Sequence, residues 1–442
     1  MTTTGPSAAF CQLHRAGTCR SCPHQDQPLA GQLVAKQARV AALLADGAAP
    51  LSPSAWLEPV ASAPARFRNK AKMVVSGTVQ APSLGILGSD GHGVDLRACP
   101  LHVETIEQAL AVLAHTITRL GLVPYDVAAR RGELKHLLVT ASPDGDLMVR
   151  WVLRSHRHVE VLRRALPRLR SELGTLAVMS VNIQPVHQAI IEGEEEIVLT
   201  EEAGGDRLLM RLELPGPPCA EGPVGDQAGA GRGRATGYGG AMAPAAAGPR
   251  ELSLLLPTRS FFQTNTGVAQ QLYSVAARWA GDLTTPGRQA RIWDLFCGVG
   301  GFALALAGPG RQVLGVEVSA PAIDGAREAS RLMGLGEDEV RFEAGDARVL
   351  DPGAGSVPDL LVVNPPRRGI GQDLAARIEA AGVDRVLYSS CNPVSLARDL
   401  EAMGSYTATR AQLFDMFPHT DHAEVLVELR RSPTPSSRTT LS

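Results

Sequence analysis

Residues 291–302, Arg-Ile-Trp-Asp-Leu-Phe-Cys-Gly-Val-Gly-Gly-Phe, press a strand, a glycine turn and the start of a helix into one short stretch. Few folds accept that sequence of elements. Glycines there let the backbone come close to a ligand at a helix N-terminus. The spacing is not G-x-G-x-x-G, because Gly298, Gly300 and Gly301 are followed by Phe302 and Ala303. From Glu251 onward, apolar runs alternate with helical spacings, which predicts a doubly wound α/β domain over 251–432. Ligands of such sheets bind outside the carboxyl ends of the strands, so the residues that end each run carry the functional information.

Asp294 opens the glycine loop, and Glu317 ends the next run, Val313–Glu317. Two carboxylates so placed suit ribose hydroxyls and a methionine moiety. The pattern resembles the S-adenosylmethionine loop of class I methyltransferases. The run Val340–Ala344 leads to Gly345-Asp346, where a polar contact to an adenine edge is expected. Asp359–Val363 ends in Asn364-Pro-Pro-Arg-Arg-Gly, which puts Asn364 at a cofactor–substrate junction with Arg367 and Arg368 in reach of phosphate. The fifth run, 385–390, delivers Cys391 in a turn before Asn392-Pro393. A thiol there sits where a nucleophile is presented, and cysteine is strongly nucleophilic even when little of it is thiolate. Glu424, just inside the last apolar run, is a carboxylate in an apolar setting and so a candidate general base. His419 and His422 rank behind it. Cys297 reads as a packed small residue. Asn265, after Phe261-Phe-Gln263-Thr, is a good helix cap.

The first half has another character. Cys11, Cys19, Cys22 and the remote Cys99 supply four soft thiolates, a set that suits tetrahedral zinc or an iron–sulfur cubane. Three near ligands and one distant one favour [4Fe–4S], with His14 and His24 as weaker zinc alternatives. Helical spacing is predicted at 29–44, 103–120 and 159–173, and strands at 135–140, 148–153 and 177–183. Arg66, Arg68, Lys70 and Lys72 alternate, so an extended strand would set all four on one face, as a phosphate stripe or as an edge guarded against pairing. In Asn182-Ile-Gln-Pro-Val-His187, a buried, backbone-satisfied His187 is expected. Residues 1–210 thus read as a mixed α+β domain, 211–250 as a Gly/Ala/Pro-rich disordered insert and 433–442 as a loose tail.

The 442 residues carry a formal net charge of −2, so any nucleic-acid surface must be a local patch. Seven cysteines with no leader-like start argue against a secreted disulfide scaffold. No apolar run is long enough to span a bilayer, and a cytoplasmic protein without membrane partners is expected.

Taken in order, Phe-Gln-Thr-Asn, Asp-Leu-Phe-Cys-Gly-Val-Gly-Gly, Asn-Pro-Pro-Arg-Arg-Gly, Ser-Ser-Cys-Asn-Pro and His-x-Glu-Val-Leu resemble the RNA uracil-C5 methyltransferases. The resemblance covers 11–210 and 251–430. Beginning directly with the cysteines, and carrying Phe-Arg-Asn-Lys-Ala-Lys-Met-Val-Val-Ser-Gly, the chain is most similar to the members that modify a 747-type uridine of 23S rRNA. The resemblance implies S-adenosylmethionine and a [4Fe–4S] cluster as cofactors, 23S rRNA as partner, and a monomer. It assigns Cys391 as the thiolate that adds to uracil C6 and Glu424 as the base that removes the C5 proton. Gln263, Phe296, Glu317 and Asn364 are then expected at the cofactor, and Cys11, Cys19, Cys22 and Cys99 at the cluster. Many relatives have aspartate where Asn364 stands, so a charged contact there is not carried over. Two rival readings are an amino-group methyltransferase built on Asn364-Pro-Pro, against which Arg367 stands where an aromatic residue usually follows, and an iron–sulfur rRNA assembly factor without catalysis.

Overall fold

The computed structural model describes residues 10–45, 51–88, 90–187, 190–201, 205–215, 250–283, 287–348 and 357–432. The chain opens with the short turn α1 (Gln12–Arg15) and the helix α2 (Leu29–Ala45). Strands β1 (Lys70–Gly77), β2 (Pro82–Leu87) and β3 (Gly93–Asp95) follow, then helix α3 (Glu104–Leu120) and strands β4 (Leu134–Ala141) and β5 (Leu147–Leu153). Helix α4 (Val159–Leu173), β6 (Leu176–Ile183) and β7 (Glu195–Val198) complete a seven-stranded sheet of order β3-β2-β1-β4-β5-β6-β7. All its pairs are antiparallel except β5–β6, which the α4 crossover makes parallel. The alternation of side chains sends Ala71, Met73, Val75, Leu137, Val139, Val149, Trp151 and Val181 to one face, where Ile106, Leu110, Leu113 and Ile117 of α3 and Leu162 and Leu169 of α4 bury them. Among the described residues no helix of this unit covers the other face, whose Met148 and Val178 pack with residues of the second half.

Strands β8 (Arg207–Leu214) and β9 (Arg250–Pro257) form an antiparallel ribbon. Its apolar positions Leu208, Met210, Leu212, Leu252, Leu254 and Leu256 pack with Met148 and Val178 of the first sheet and with the helices of the second. The ribbon therefore corrects the expected insert. Alternate buried residues at Leu212 and Leu214 keep the strand going to 214, and Arg250 already pairs with Leu214. The rest of the insert, 216–249, and the tail 433–442 lie outside the described residues.

The second half contains α5 (Thr266–Trp279), β10 (Ala290–Leu295), α6 (Gly301–Leu306), β11 (Arg311–Glu317), α7 (Ala320–Leu332) and β12 (Val340–Ala344). It continues with β13 (Leu360–Val363), α8 (Gln372–Ala381), β14 (Arg385–Ser390), α9 (Pro393–Leu400), β15 (Tyr406–Phe414) and β16 (Glu424–Arg431). The sheet order is β12-β11-β10-β13-β14-β16-β15, parallel through β14, with β16 inserted antiparallel. Helices α5, α6 and α7 cover one side. On the other, α8 and α9 are joined by α2, whose Val40 and Leu44 lie among Leu374, Leu396 and Leu400. Chain order assigns α2 to the first domain. Its apolar stripe finds a better partner in the second sheet, and the bridges Trp56–Ala411 and Val60–Phe414 carry the following segment along the same edge.

Candidate active site at the carboxyl ends of the parallel strands

Strand β10 ends in a turn of unusual backbone. Phe296 lies at φ +63° and Gly300 at +86°. For a bulky side chain the left-handed region is costly, so Phe296 stays there only because the turn is tied on both sides. Cys297 N donates to Val316 O at 3.1 Å and Gly300 N to Cys297 O at 2.9 Å. A Cβ on Gly301 would lie 2.5 Å from the Tyr273 hydroxyl, and one on Gly300 2.9 Å from the Phe342 ring. A Cβ on Gly298, by contrast, would meet nothing within 4 Å, so the turn faces open space on that side.

Asp294 is fully buried behind the turn, and its Oδ2 accepts from Ala303 N at 2.9 Å, while Oδ1 has no partner among the described residues. Burial pushes its carboxyl up to about 8. Glu317, half-buried at the end of β11, is held by Gly298 N on Oε2 (3.3 Å) and Ser319 N on Oε1 (3.0 Å). Asn364 is half-buried just past β13, its N–H toward Leu295 O at 3.4 Å. Gln263 is buried, and its carbonyl accepts from Asn69 Nδ2 at 3.0 Å. Asn69 also donates to Thr266 Oγ1 at 2.8 Å, so a residue of the first half fixes the entry to α5, which Asn265 caps through Val268 N at 3.3 Å. Asp346, half-buried past β12, is tied to its own turn. It accepts from Arg348 N at 3.0 Å and pairs with the Arg348 guanidinium at 2.7 Å, which closes its own turn and holds its carboxyl down at about 2. Cys297 is buried and its thiol raised far above the ordinary value by burial, in keeping with a packing role.

Cys391 follows β14 and is half-buried. Asn392 caps α9 by accepting from Val394 N at 3.2 Å. Burial raises the thiol, and the neighbouring Glu424 raises it further; the positive charge of Arg367 opposes both. Glu424 begins β16, one register step beyond the Ser390–Val425 pair. It is only 1% exposed, accepts from Ser389 Oγ at 2.5 Å, and burial lifts it to about 7. A carboxyl poised near neutrality can take and return a proton. Ser389 and Arg367 were hidden as partners in the sequence: the small residues before Cys391 were visible, but only the antiparallel register brings Ser389 to Glu424. His419 is buried, with its ring on Pro64 O (2.8 Å) and Gln32, and so is not free for acid–base work. His422 is exposed and lies against Arg367.

Two expectations for the first half need correction. The four cations do not share a strand, since Arg66 turns to φ +56° and pairs with Glu107, and β1 starts only at Lys70. Lys70 and Lys72 do lie on the sheet face opposite α3 and α4, where Lys72 is exposed but Lys70 is largely buried and is brought down to about 8 by that burial and then by Lys72 and Arg150. His187 is exposed rather than buried, its Nδ1 2.9 Å from the Tyr125 hydroxyl, because buried Asn182 and Gln184 take the backbone groups of the loop instead.

Cys11, Cys19, Cys22 and Cys99 come into one neighbourhood. Cys22 is pushed up to about 12 by burial and then by Cys99, Cys19 and Cys11. The four are neighbours without being drawn to metal-ligand geometry: among the described residues, no group of three or more His, Cys, Asp or Glu is so arranged.

The parallel sheet, the glycine turn at β10 and the carboxylate ending β11 define an S-adenosylmethionine-dependent methyltransferase fold. The description "tRNA (Uracil-5-)-methyltransferase" matches residues 247–334 and 357–432. The 23S rRNA (uracil(747)-C(5))-methyltransferase RlmC of Serratia proteamaculans is 43% identical over 96% of this chain and 100% of its own length. The protein of that name from Halothiobacillus neapolitanus is 45% identical over 95% of this chain and 99% of its own. This chain therefore belongs to the RNA uracil-C5 methyltransferase family. The crystal structure of Pyrococcus abyssi tRNA (uracil-54, C5)-methyltransferase in complex with S-adenosyl-L-homocysteine has the same fold, with TM-score 0.66 and 20% identity over 92% of this chain and 85% of that one. No helix among the described residues is long and apolar enough to cross a membrane.

Proposed function

We propose that this protein methylates C5 of a uridine in 23S rRNA, at the 747-type position for which its relatives are named. The observation that carries the reading is the pairing of a thiol and a buried carboxyl near neutrality, Cys391 and Glu424, at one sheet end beside the glycine turn. Uracil C5 is too weak a nucleophile to accept a methyl group unaided. Cys391 adds to C6 and pushes electron density onto C5. S-adenosylmethionine supplies the electrophilic methyl group, and Phe296, Glu317, Gln263 and Asn364 would hold it; the open space before Gly298 and the anchored carboxylate of Glu317 fit such a ligand. Once C5 carries the methyl group, Glu424 removes the C5 proton, the C5–C6 double bond re-forms and the Cys391–C6 bond breaks. The base has to leave its stack to reach this site, at a cost of a few kcal/mol. Lys72, exposed on the sheet face opposite α3 and α4, is suited to phosphate.

Cys11, Cys19, Cys22 and Cys99 would hold a [4Fe–4S] cluster. Four thiols that repel one another's ionisation are a site a cation stabilises. Nothing in methyl transfer requires an electron, so the cluster's role is structural or RNA-positioning, and the enzyme acts as a cytoplasmic monomer.

The test is the 5-methyluridine map of 23S rRNA from a deletion strain, with purified protein and methyl-labelled cofactor acting on the unmodified rRNA. Loss of one 5-methyluridine, restored by the protein, is expected. RNA protection without transfer of label would instead identify an assembly factor. Iron and sulfide in the brown purified protein support the cluster; a colourless, zinc-containing protein refutes it.

A further inference from the structure

We propose that Asn69 is a positioning residue for the cofactor: from the first half of the chain it aims Gln263 at S-adenosylmethionine and so sets how tightly the methyl donor binds. The inference rests on the reading of Gln263 as a cofactor contact. Asn69 is 3% exposed and meets the segment before α5 with both its backbone and its side chain. Its N–H donates to Thr264 O at 2.9 Å, and its Nδ2 to Gln263 O at 3.0 Å and to Thr266 Oγ1 at 2.8 Å. A peptide carbonyl can only accept, so the amide is turned with its nitrogen toward Gln263. Two successive carbonyls are thereby held by one residue. That fixes the peptide planes on both sides of Thr264, and with them the backbone from which the Gln263 side chain leaves. Among the described residues nothing hydrogen-bonds the Gln263 carboxamide, so its aim is set by packing and by this backbone.

Asn69 can do this because it is itself fixed in the first half. Its carbonyl accepts from Ala141 N at 2.9 Å, at the end of β4, and β1 begins with the next residue. Upstream, Arg68 N donates to Leu101 O at 2.8 Å and Arg68 O accepts from Val103 N at 3.0 Å. The start of α5 does not by itself call for these bonds. It is already capped by Asn265, whose own Nδ2 donates to Ser62 Oγ at 2.7 Å. What Asn69 adds lies ahead of the cap, at the carbonyls of Thr264 and Gln263. A group held in place by a rigid neighbouring element need not be ordered when the ligand arrives, so loss of the tie is felt as weaker binding.

The test is the dissociation constant of S-adenosyl-L-homocysteine, measured by calorimetry on the full-length protein. Asn69→Asp keeps the shape but replaces the two donors by an acceptor, and should weaken binding by roughly threefold to thirtyfold. Thr266→Val, which removes one of the two acceptors of Nδ2 at a half-buried position, should act in the same direction and carries the same comparison if Asn69→Asp does not fold. The second arm is Gln263→Ala: in that background Asn69→Asp should cost no further affinity, because the side chain that it aims is gone. A merely structural defect would lower the melting temperature and weaken binding equally in both backgrounds. Wild-type affinity in Asn69→Asp overturns the proposal, as does a loss that persists undiminished in the Gln263→Ala background. A Gln263→Ala protein that binds as tightly as the wild type would instead remove Gln263 from the cofactor and the proposal with it, a failure of the underlying reading seen without any change at Asn69.

Discussion

The two seven-stranded sheets use the same number of strands for different ends. In the first, mostly antiparallel, both helices pack on one face, which leaves a polar face with Lys70, Lys72, His136, Arg150 and Glu196. In the second, helices cover both faces. What remains to it are the strand ends, and parallel connections bring the turn after β10 and the ends of β11, β13 and β14 into one crevice. The candidate catalytic groups therefore concentrate at ends in one sheet, and polar side chains spread over a face in the other.

Cys391→Ala should break the strand-end half of that contrast with the largest effect, a loss of methyl transfer of at least about a thousandfold under single-turnover conditions. Glu424→Gln should cost roughly a hundredfold to ten-thousandfold in turnover while still forming a bond to RNA, seen as a denaturation-resistant protein–RNA band. A freely dissociating, inactive variant would remove Glu424 from the base role. In the wild type the base must be ionised. With Glu424 at about 7, adduct breakdown should fall about tenfold per unit as pH drops below 7 and level off above it.

Lys36→Ala sharpens the assignment of α2 to the second sheet. The Lys36–Asp415 pair is buried, 3% and 1% exposed, and removing one partner strands the other, at a cost of about 3–5 kcal/mol in denaturant unfolding. A loss near zero would mean that α2 is only loosely docked. The smallest effect belongs to the first sheet: Lys72→Ala should reduce the salt slope of RNA binding by about one, whereas Arg66→Ala, already paired with Glu107, should barely change it. Equal slopes for the two would return Arg66 to the phosphate stripe.

Local chemistry was legible wherever one residue type in one place carries the meaning. The glycine turn at 298–301 and the apolar runs identified the parallel sheet, the spacing of Ile106, Leu110, Leu113 and Ile117 identified α3, and Asn265 was readable as a cap. Errors arose where a pattern had two physical solutions. Alternating cations predicted one extended face, yet Glu107 on α3 drew Arg66 out of it. His187 was expected inside, but Asn182 and Gln184 satisfied the loop and left it outside.

By itself the sequence determined the alternating elements of the second half, the parallel order they imply and the residues that end those strands, because periodicity and glycine geometry act over a few neighbouring positions, whereas β2, β3, β7 and β8 of the first half were not legible in it. Only the tertiary structure decided who meets whom. The docking of α2 on the second sheet, Asn69 on the Gln263 carbonyl and Ser389 on Glu424 join residues up to hundreds of positions apart. Burial supplies the reason that these contacts matter. It lifts Glu424 toward neutrality and makes Cys391 depend on a cation, and the degree of burial is a property of the packed chain that no local pattern encodes.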